Sequence, residues 1–198
     1  HSSNGTFVNG KRVAGPRHTH PNGEINELLV RERDEERLLS ETCRIVVEHG
    51  GFTMAWIGAR AARTRELGSI ASATGSNAGP EEGPIRRDGG LVGGRSAEQA
   101  IREGRVVLSN DWDSDDGLPA LNEEGRKRRF RATGAFPILV GGKARAVLSV
   151  FAPQSGFFVP EIVKLLADLA ADIGFGLEVI EHERQRGRAE EAVKRLNE

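Results

Sequence analysis

The feature that most constrains the fold is an apolar stripe near the carboxyl end of the chain. After Pro160, apolar side chains recur at steps of 4, 3, 4, 4 and 3 residues, at Ile162, Leu166, Leu169, Ile173, Leu177 and Ile180. This spacing places them on one face of an α-helix, and proline is favoured as the first helical residue. The pattern continues more thinly to Leu196 and predicts a helix of about 38 residues, far longer than the average globular helix.

The segments before this helix alternate between helical and extended periodicity. Residues 24–49 show helical spacing, and Gly50-Gly51 ends it. Two short helices are predicted at SAEQAIREG, with Ser96 as its N-cap, and at residues 118–129. Extended patterns occur at FTMAWIGA, LGSIASATG, RVVLSND, FRATGAFPILV and KARAVLSVFAP. This order predicts an α+β fold, an antiparallel sheet with helices segregated beside it.

The composition excludes several classes of protein. The 198 residues are 37% hydrophobic and 29% charged, with a formal net charge of −1. This balance is typical of a folded domain and offers no electrostatic basis for binding nucleic acid or an anionic membrane. The single cysteine excludes an internal disulfide, and no apolar run approaches the ~20 residues that span a bilayer. We expect a cytoplasmic protein, or the cytoplasmic part of a longer one.

Several phrases resemble the GAF domains of bacterial sensory proteins such as histidine kinases and diguanylate cyclases. They are RLLSETCRIVVEHGGFTMAWIGA, SAEQAIREGRVVLSND, FRATGAFPILVGGKARAVLSVFAP and FFVPEIVKLLADLAADIGFGLEVIE. The resemblance implies a sheet of about six strands, with the first and last helices on one face and a small-molecule pocket on the other. It also implies a homodimer that relays a signal through its terminal helices to an output domain, in two-component or cyclic-di-GMP signalling.

The first residues carry a second resemblance. SSNGTFVNGKRV is similar to the late strands of a forkhead-associated (FHA) domain, and Asn9-Gly10 favours a tight hairpin turn. About thirteen residues cannot form that domain, which needs roughly a hundred. The predicted division is an FHA-like remnant and linker over 1–23, a GAF-like domain over 24–183 and a coiled-coil-like exit helix over 184–198.

The family layout and the alternation of strand faces give a predicted ligand pocket. Its residues are Trp56, Asp111, Trp112, Arg131, Phe136 and Ser149. An arginine at the mouth of such a pocket would favour an anionic ligand. The predicted dimer interface lies on the terminal helices and consists of Leu38, Ile45, Ile162, Leu166, Leu169, Ile173, Leu177 and Ile180.

The sequence gives less support for a cysteine-dependent activity, a calcium or other metal site, or a basic binding surface. Bilin-binding relatives attach the chromophore to a cysteine, and sulfoxide-reducing relatives use several, whereas Cys43 is alone on an apolar helix face. The acidic run from Asp111 misses the spacing of a calcium loop by one residue at two positions. The histidines do not form a closed metal site, and the basic cluster over 126–129 is expected to be a solvated helix face.

These observations predict a regulatory module without enzymatic activity, metal or bilin. It would bind a small molecule in the GAF pocket and signal through a dimeric helical bundle. The alternative is a structural dimerisation or spacer module that binds no ligand.

Overall fold

The computed structural model describes residues 7–8, 11–12, 27–28, 32, 34–61, 66–76, 93–111 and 128–196. The elements in chain order are β1 Phe7–Val8, β2 Lys11–Arg12, α1 Glu35–Gly50, β3 Met54–Arg60, β4 Leu67–Thr74, α2 Gly94–Glu103, β5 Val107–Ser109, β6 Ala132–Val140, β7 Lys143–Ala152 and α3 Pro160–Leu196. The helix predicted over 118–129 and the loop predicted over 75–94 lie largely outside these residues.

A five-stranded antiparallel sheet in the order β4-β3-β7-β6-β5 forms the centre of the fold. The α+β class is confirmed, and the described residues form five strands of this sheet, close to the six expected. Strands β1 and β2 pair separately as the predicted hairpin, with Phe7 opposite Arg12. Among the described elements, no helix is long and apolar enough to cross a membrane.

Different helices pack on the two faces of the sheet. Helices α1 and α3 pack on one face and form what we call the helix-face cluster, which includes Cys43, Ile57, Leu148 and Ile173. Helix α2 packs on the other face and forms the α2-face cluster with Met54, Trp56, Ala135, Val147, Phe151, Ala97, Ala100 and Phe130. The predicted placement of both long helices on one face is confirmed.

Helix α1 begins and ends as its sequence dictates. Asp34 is the N-cap, and its carboxylate accepts a hydrogen bond from the backbone N–H of Arg37 at 2.9 Å, which satisfies one of the free donors of the first turn. Gly51 follows the helix with φ 73°, a left-handed conformation that glycine adopts without strain.

The predicted N-cap of α2 at Ser96 is wrong. The helix begins at Gly94, and Gly93 is its N-cap without any side-chain hydrogen bond. Gly93 has φ 69°, and a Cβ there would lie 2.8 Å from the Phe151 ring. The start of α2 is therefore set by close approach of the backbone to the sheet, which a capping pattern in the sequence does not reveal.

Helix α3 begins at Pro160 as predicted and continues through 37 residues, about 55 Å at 1.5 Å per residue. It runs antiparallel to α1, because its first turn follows Phe157 and Phe158, which pack near Phe52 beyond the end of α1. At the other end, Arg184 forms an ion pair of 2.8 Å with Glu35 in the first turn of α1. The helix then extends past α1 with mostly exposed side chains.

Candidate functional site

The candidate site is centred on a row of residues that crosses the α2 face of the sheet. Trp56 on β3 pairs with Ser149 on β7, and Ser149 pairs with Ala135 on β6. All three are buried, with Trp56 at 0% and Ser149 at 1% exposure. Directly paired residues on neighbouring strands point to the same face, so the indole and the hydroxyl share one environment.

The Ser149 hydroxyl is buried without a hydrogen-bond partner among the described residues. Leaving a buried polar group unpaired costs about 1–3 kcal/mol. The neighbouring Thr133 avoids this cost, because its hydroxyl donates to the Val150 carbonyl oxygen at 3.2 Å. Because buried polar atoms in folded proteins are nearly always hydrogen-bonded, the Ser149 hydroxyl is an exception within the described part of the chain.

Aromatic and small side chains surround this row. The Phe130 and Phe151 rings lie 4.7 Å apart between centroids, and both belong to the same cluster as Trp56. From α2, only Ala97 and Ala100 are fully buried. These side chains form one of the two hydrophobic clusters of the fold, and aromatic residues are also common in the lining of small-molecule sites.

A cationic residue lies near this cluster. Arg128 is 2% exposed and precedes the buried Phe130 by two positions. The expectation that residues 126–129 form a solvated face is therefore wrong for Arg128; its neighbours Arg126 and Lys127 lie outside the described residues. Arg128 already has an interaction in the structure, as a buried guanidinium requires. Its burial is a feature that the local sequence pattern does not reveal.

Two predicted pocket residues lie at the ends of strands. Asp111, partly buried, accepts a hydrogen bond from Ser155 Oγ at 3.4 Å, and Asn110 holds the same loop through two hydrogen bonds to the Phe158 backbone. Arg131 is exposed, and its backbone N–H donates to the Ala152 carbonyl at 2.8 Å. Trp112 lies outside the described residues.

Phe136 does not join the others. It belongs to the helix-face cluster, pairs with Leu148 on β7 and lies 6.4 Å from the Phe158 ring. Successive residues of a strand point to opposite faces, so Ala135 shares the face of Ser149 and Phe136 cannot. The structure thus brings Trp56 and Ser149 together on one face of the sheet and places Phe136 on the other.

The predicted dimer interface is buried within this chain. Ile162 and Leu177 are partly buried against the helix-face cluster, and the other six residues are at most 4% exposed: Leu38, Ile45, Leu166, Leu169, Ile173 and Ile180. Within this chain, the α3 stripe from Leu166 to Ile173 packs in the helix-face cluster, and the dimer interface stays a prediction. In this arrangement these side chains are not accessible to a second chain.

Cys43 packs in the helix-face cluster, on the opposite side of the sheet from Ser149. Burial raises the pKa of its thiol to about 12, despite a backbone hydrogen bond at Ile57 that lowers it. A thiol is nucleophilic as the thiolate, so Cys43 is a packed, protonated side chain at neutral pH. The part of the chain that the structure describes contains no cluster of three or more His, Cys, Asp or Glu suited to a metal.

A model of the GAF domain family matches residues 32–178. No curated protein is detectably similar to the sequence. Among solved structures, the chain resembles the free methionine-R-sulfoxide reductase of Neisseria meningitidis, with a TM-score of 0.65 and 19% identity over 81% of this chain and 88% of that one. It also resembles the GAF domain of a phosphoenolpyruvate-protein phosphotransferase from Coxiella burnetii, with a TM-score of 0.64 and 13% identity over 85% of this chain and 95% of that one.

A domain assigned to a two-component sensor histidine kinase of Sinorhizobium meliloti 1021 is also similar. Its TM-score is 0.57, with 13% identity over 76% of this chain and 95% of that one. At such identities the likeness establishes the fold alone. The reductases among these structures overturn the expectation that the chain is not an enzyme, because this fold supports catalysis as well as regulation.

Proposed function

The chain belongs to the GAF domain family, and we propose that it is a regulatory sensory module that binds a small molecule beneath α2. The binding surface is the α2 face of the sheet, around Trp56 and Ser149. Similar structures are the GAF domain of a phosphoenolpyruvate-protein phosphotransferase and a domain assigned to a sensor histidine kinase, which supports a regulatory role. The observation that carries the proposal is the buried Ser149 hydroxyl, which lacks a partner among the described residues.

The surroundings of Ser149 favour a ligand with one polar group and one flat or apolar part. The hydroxyl can donate one hydrogen bond and accept others, and Trp56 offers a large apolar surface beside it. A small molecule that reaches this hydroxyl would remove the cost of burying it unpaired.

The sheet offers a short route from this pocket to α3. On β7, Ser149 faces the pocket, whereas its neighbours Leu148 and Val150 belong to the cluster beneath α1 and α3. The β6–β7 turn also contacts α3, because the Gly141 N–H donates to the Glu178 carboxylate. A ligand shifts such packing only as far as its affinities for the two arrangements differ.

Several finer features stay predictions. They are the homodimer, an output domain of the histidine kinase or diguanylate cyclase type, the forkhead-associated remnant before the hairpin and a cytoplasmic location. The spacer alternative, in which the domain binds nothing, makes a different prediction for the experiment below.

Native mass spectrometry of the freshly purified chain tests the proposal. The expected result is extra mass on the wild-type chain that is lost in Ser149→Ala. Thr53→Val is the matched control, because the Thr53 hydroxyl is also buried and has no partner among the residues that the structure describes, while Thr53 is not a member of the α2-face cluster. No extra mass, together with no thermal shift across a panel of metabolites, would support the spacer alternative.

The reductase structures call for one further measurement on the same sample. The chain is incubated with free methionine-R-sulfoxide and a thiol reductant, and methionine is quantified. Turnover that survives Cys43→Ala would identify an enzyme that does not use its thiol, and turnover lost in that variant would identify Cys43 as essential. Either result would replace the sensory proposal with a catalytic one.

A further inference from the structure

A cavity lies on the helix-bearing side of the sheet, where α3 leaves the domain. It has a volume of about 430 Å³ and is formed by α3, the start of α1, the β6–β7 hairpin and the paired ends of β3 and β4. We call it the exit groove. Its wall includes Ala59, Val140 and Ala146, which border the helix-face cluster. The groove is thus separated from Trp56 and Ser149 by the sheet itself.

Charged side chains of both signs line the exit groove, but cations dominate. Four arginines and two glutamates leave a formal excess of two positive charges; they are Arg60, Arg145, Arg184, Arg188, Glu35 and Glu181. Like charges gathered around one concave surface raise the local concentration of a counter-ion. The groove therefore attracts anions although the whole chain carries a net charge of −1.

The two glutamates are already engaged. Glu35 pairs with Arg184 at 2.8 Å, and Glu181 lies 3.8 Å from Arg145. No ion pair is found for Arg60 or Arg188 within the described part of the chain. These two guanidiniums come from different elements, since Arg60 ends β3 and Arg188 lies on α3. They are available for an anion that bridges the sheet and the helix.

Apolar side chains also line the exit groove beside these arginines. Ile70 on β4 is 46% exposed and lines the groove together with the partly buried Leu177. The strand register shifts at this point, because Ile57 pairs with Ala71 and the next residue, Gly58, pairs with Ser69. The bulge leaves Ile70 without an opposite residue on β3. A large apolar side chain exposed inside a basic groove offers a surface for the non-ionic part of a ligand.

We infer that the exit groove binds an organic phosphate. Guanidinium groups recognise phosphate oxygens with paired hydrogen bonds, which assigns the phosphate to Arg60 and Arg188. The apolar part of the ligand packs on Ile70 and Leu177. Because the ligand contacts both the sheet and α3, its binding also restrains the helix at the point where it leaves the domain.

Calorimetric titration with adenosine diphosphate and with inorganic pyrophosphate tests this assignment. We expect adenosine diphosphate to bind with a dissociation constant below about 1 mM and more tightly than pyrophosphate, which lacks an apolar part. The double variant Arg60→Ala/Arg188→Ala should weaken binding of both probes by about tenfold or more. Ile70→Ser should weaken only adenosine diphosphate.

A charge-matched control separates a site from general electrostatic attraction. Arg186→Ala/Arg195→Ala removes two exposed arginines of α3 that do not line the groove, and it should leave binding unchanged. An equal loss in this control would overturn the inference, as would the absence of binding by both probes at about 1 mM. Equal affinity for the two probes would also contradict it.

The location is tested independently of the pocket beneath α2. Ser149→Ala should leave the affinity for adenosine diphosphate unchanged, and hydrogen exchange of residues 181–188 should slow when the probe is added. Loss of binding in Ser149→Ala would place the probe on the other side of the sheet and overturn the exit-groove assignment. The two proposals therefore fail on different variants.

Discussion

Trp56 and Ser149 lie directly opposite each other on β3 and β7, and both side chains are buried on the face of the sheet that α2 covers. The indole is part of an apolar cluster, whereas the hydroxyl next to it has no partner among the described residues. This pairing places a polar atom where packing alone would favour an alanine. The stability of the chain and its ability to bind a ligand should therefore respond oppositely to changes at Ser149.

The first prediction concerns the stability of the ligand-free chain. Ser149→Ala should raise the free energy of unfolding by about 1 kcal/mol, because it removes a buried hydroxyl that is unpaired. Thr133→Val is the matched control and should lower stability by about 1 kcal/mol, since the Thr133 hydroxyl donates to the Val150 carbonyl. Urea unfolding followed by circular dichroism measures both. A loss of stability in Ser149→Ala would show that its hydroxyl has a partner within the chain.

A second prediction rests on the helix–sheet contact at Gly174. A Cβ at this position would lie 2.1 Å from the Leu139 carbonyl oxygen, so Gly174→Ala must push α3 away from the β6–β7 hairpin. We expect a loss of about 3 kcal/mol in the free energy of unfolding, the size of a severe overpacking change.

Gly187 provides the control on the same helix. A Cβ there would meet no atom within 4 Å, and alanine is favoured over glycine inside helices by about 1 kcal/mol. Gly187→Ala should therefore leave stability unchanged or raise it in the same urea experiment. Equal effects of the two substitutions would contradict the tight contact at Gly174.

The sequence was sufficient to predict those parts of the fold that depend on local periodicity. The spacing after Pro160 predicts α3, and the alternating runs predict the hairpin of β6 and β7. The alternation of faces along β6 separates Ala135 from Phe136. The predicted pocket, which follows the family layout as well as the strand faces, includes Phe136 because the sequence does not show which face of β6 lies toward α2. A strand's two faces can be separated from sequence, but which face meets which helix depends on long-range packing.

Other features that the sequence leaves open have the same physical origin. The stripe from Ile162 to Ile180 is compatible with covering either a sheet or a second helix, because both present apolar surface at the same spacing. Likewise, the burial of Arg128 and the convergence of Arg60 with Arg188 depend on elements far apart in sequence. Such juxtapositions have no local pattern from which they could be predicted.

A third prediction concerns alkaline pH. The pKa of the Cys43 thiol is about 12 in the folded chain, against an ordinary value of 9.0. Above pH 9 the unfolded chain loses the Cys43 thiol proton, whereas the folded chain retains it. The free energy of unfolding therefore falls as the pH rises, and this loss of stability levels off above pH 12. By pH 11, two units above the ordinary value, the stability lost through Cys43 should be about 3 kcal/mol.

Comparison with Cys43→Ala isolates this contribution. The variant has a constant offset from the lost packing, but it should not show the additional decline of the wild-type chain between pH 9 and 11. Urea unfolding at several pH values measures the difference between the two curves. Parallel curves over this range would mean that the thiol ionises as easily in the folded chain as in the unfolded one.

The last prediction concerns self-association through the outer face of α3. Because the apolar stripe is buried against the sheet, a second copy of the chain would have to use side chains that remain exposed. Phe175 is 68% exposed on this helix, and burying a phenylalanine side chain contributes about 2 kcal/mol. Phe175→Ser should weaken dimerisation by about tenfold or more in sedimentation velocity, while the stability of the monomer changes by less than about 0.5 kcal/mol.

Leu169→Ser is the contrasting variant, since Leu169 is 4% exposed and its replacement should destabilise the monomer itself. A dimer that is unaffected by Phe175→Ser would place the interface elsewhere on the domain.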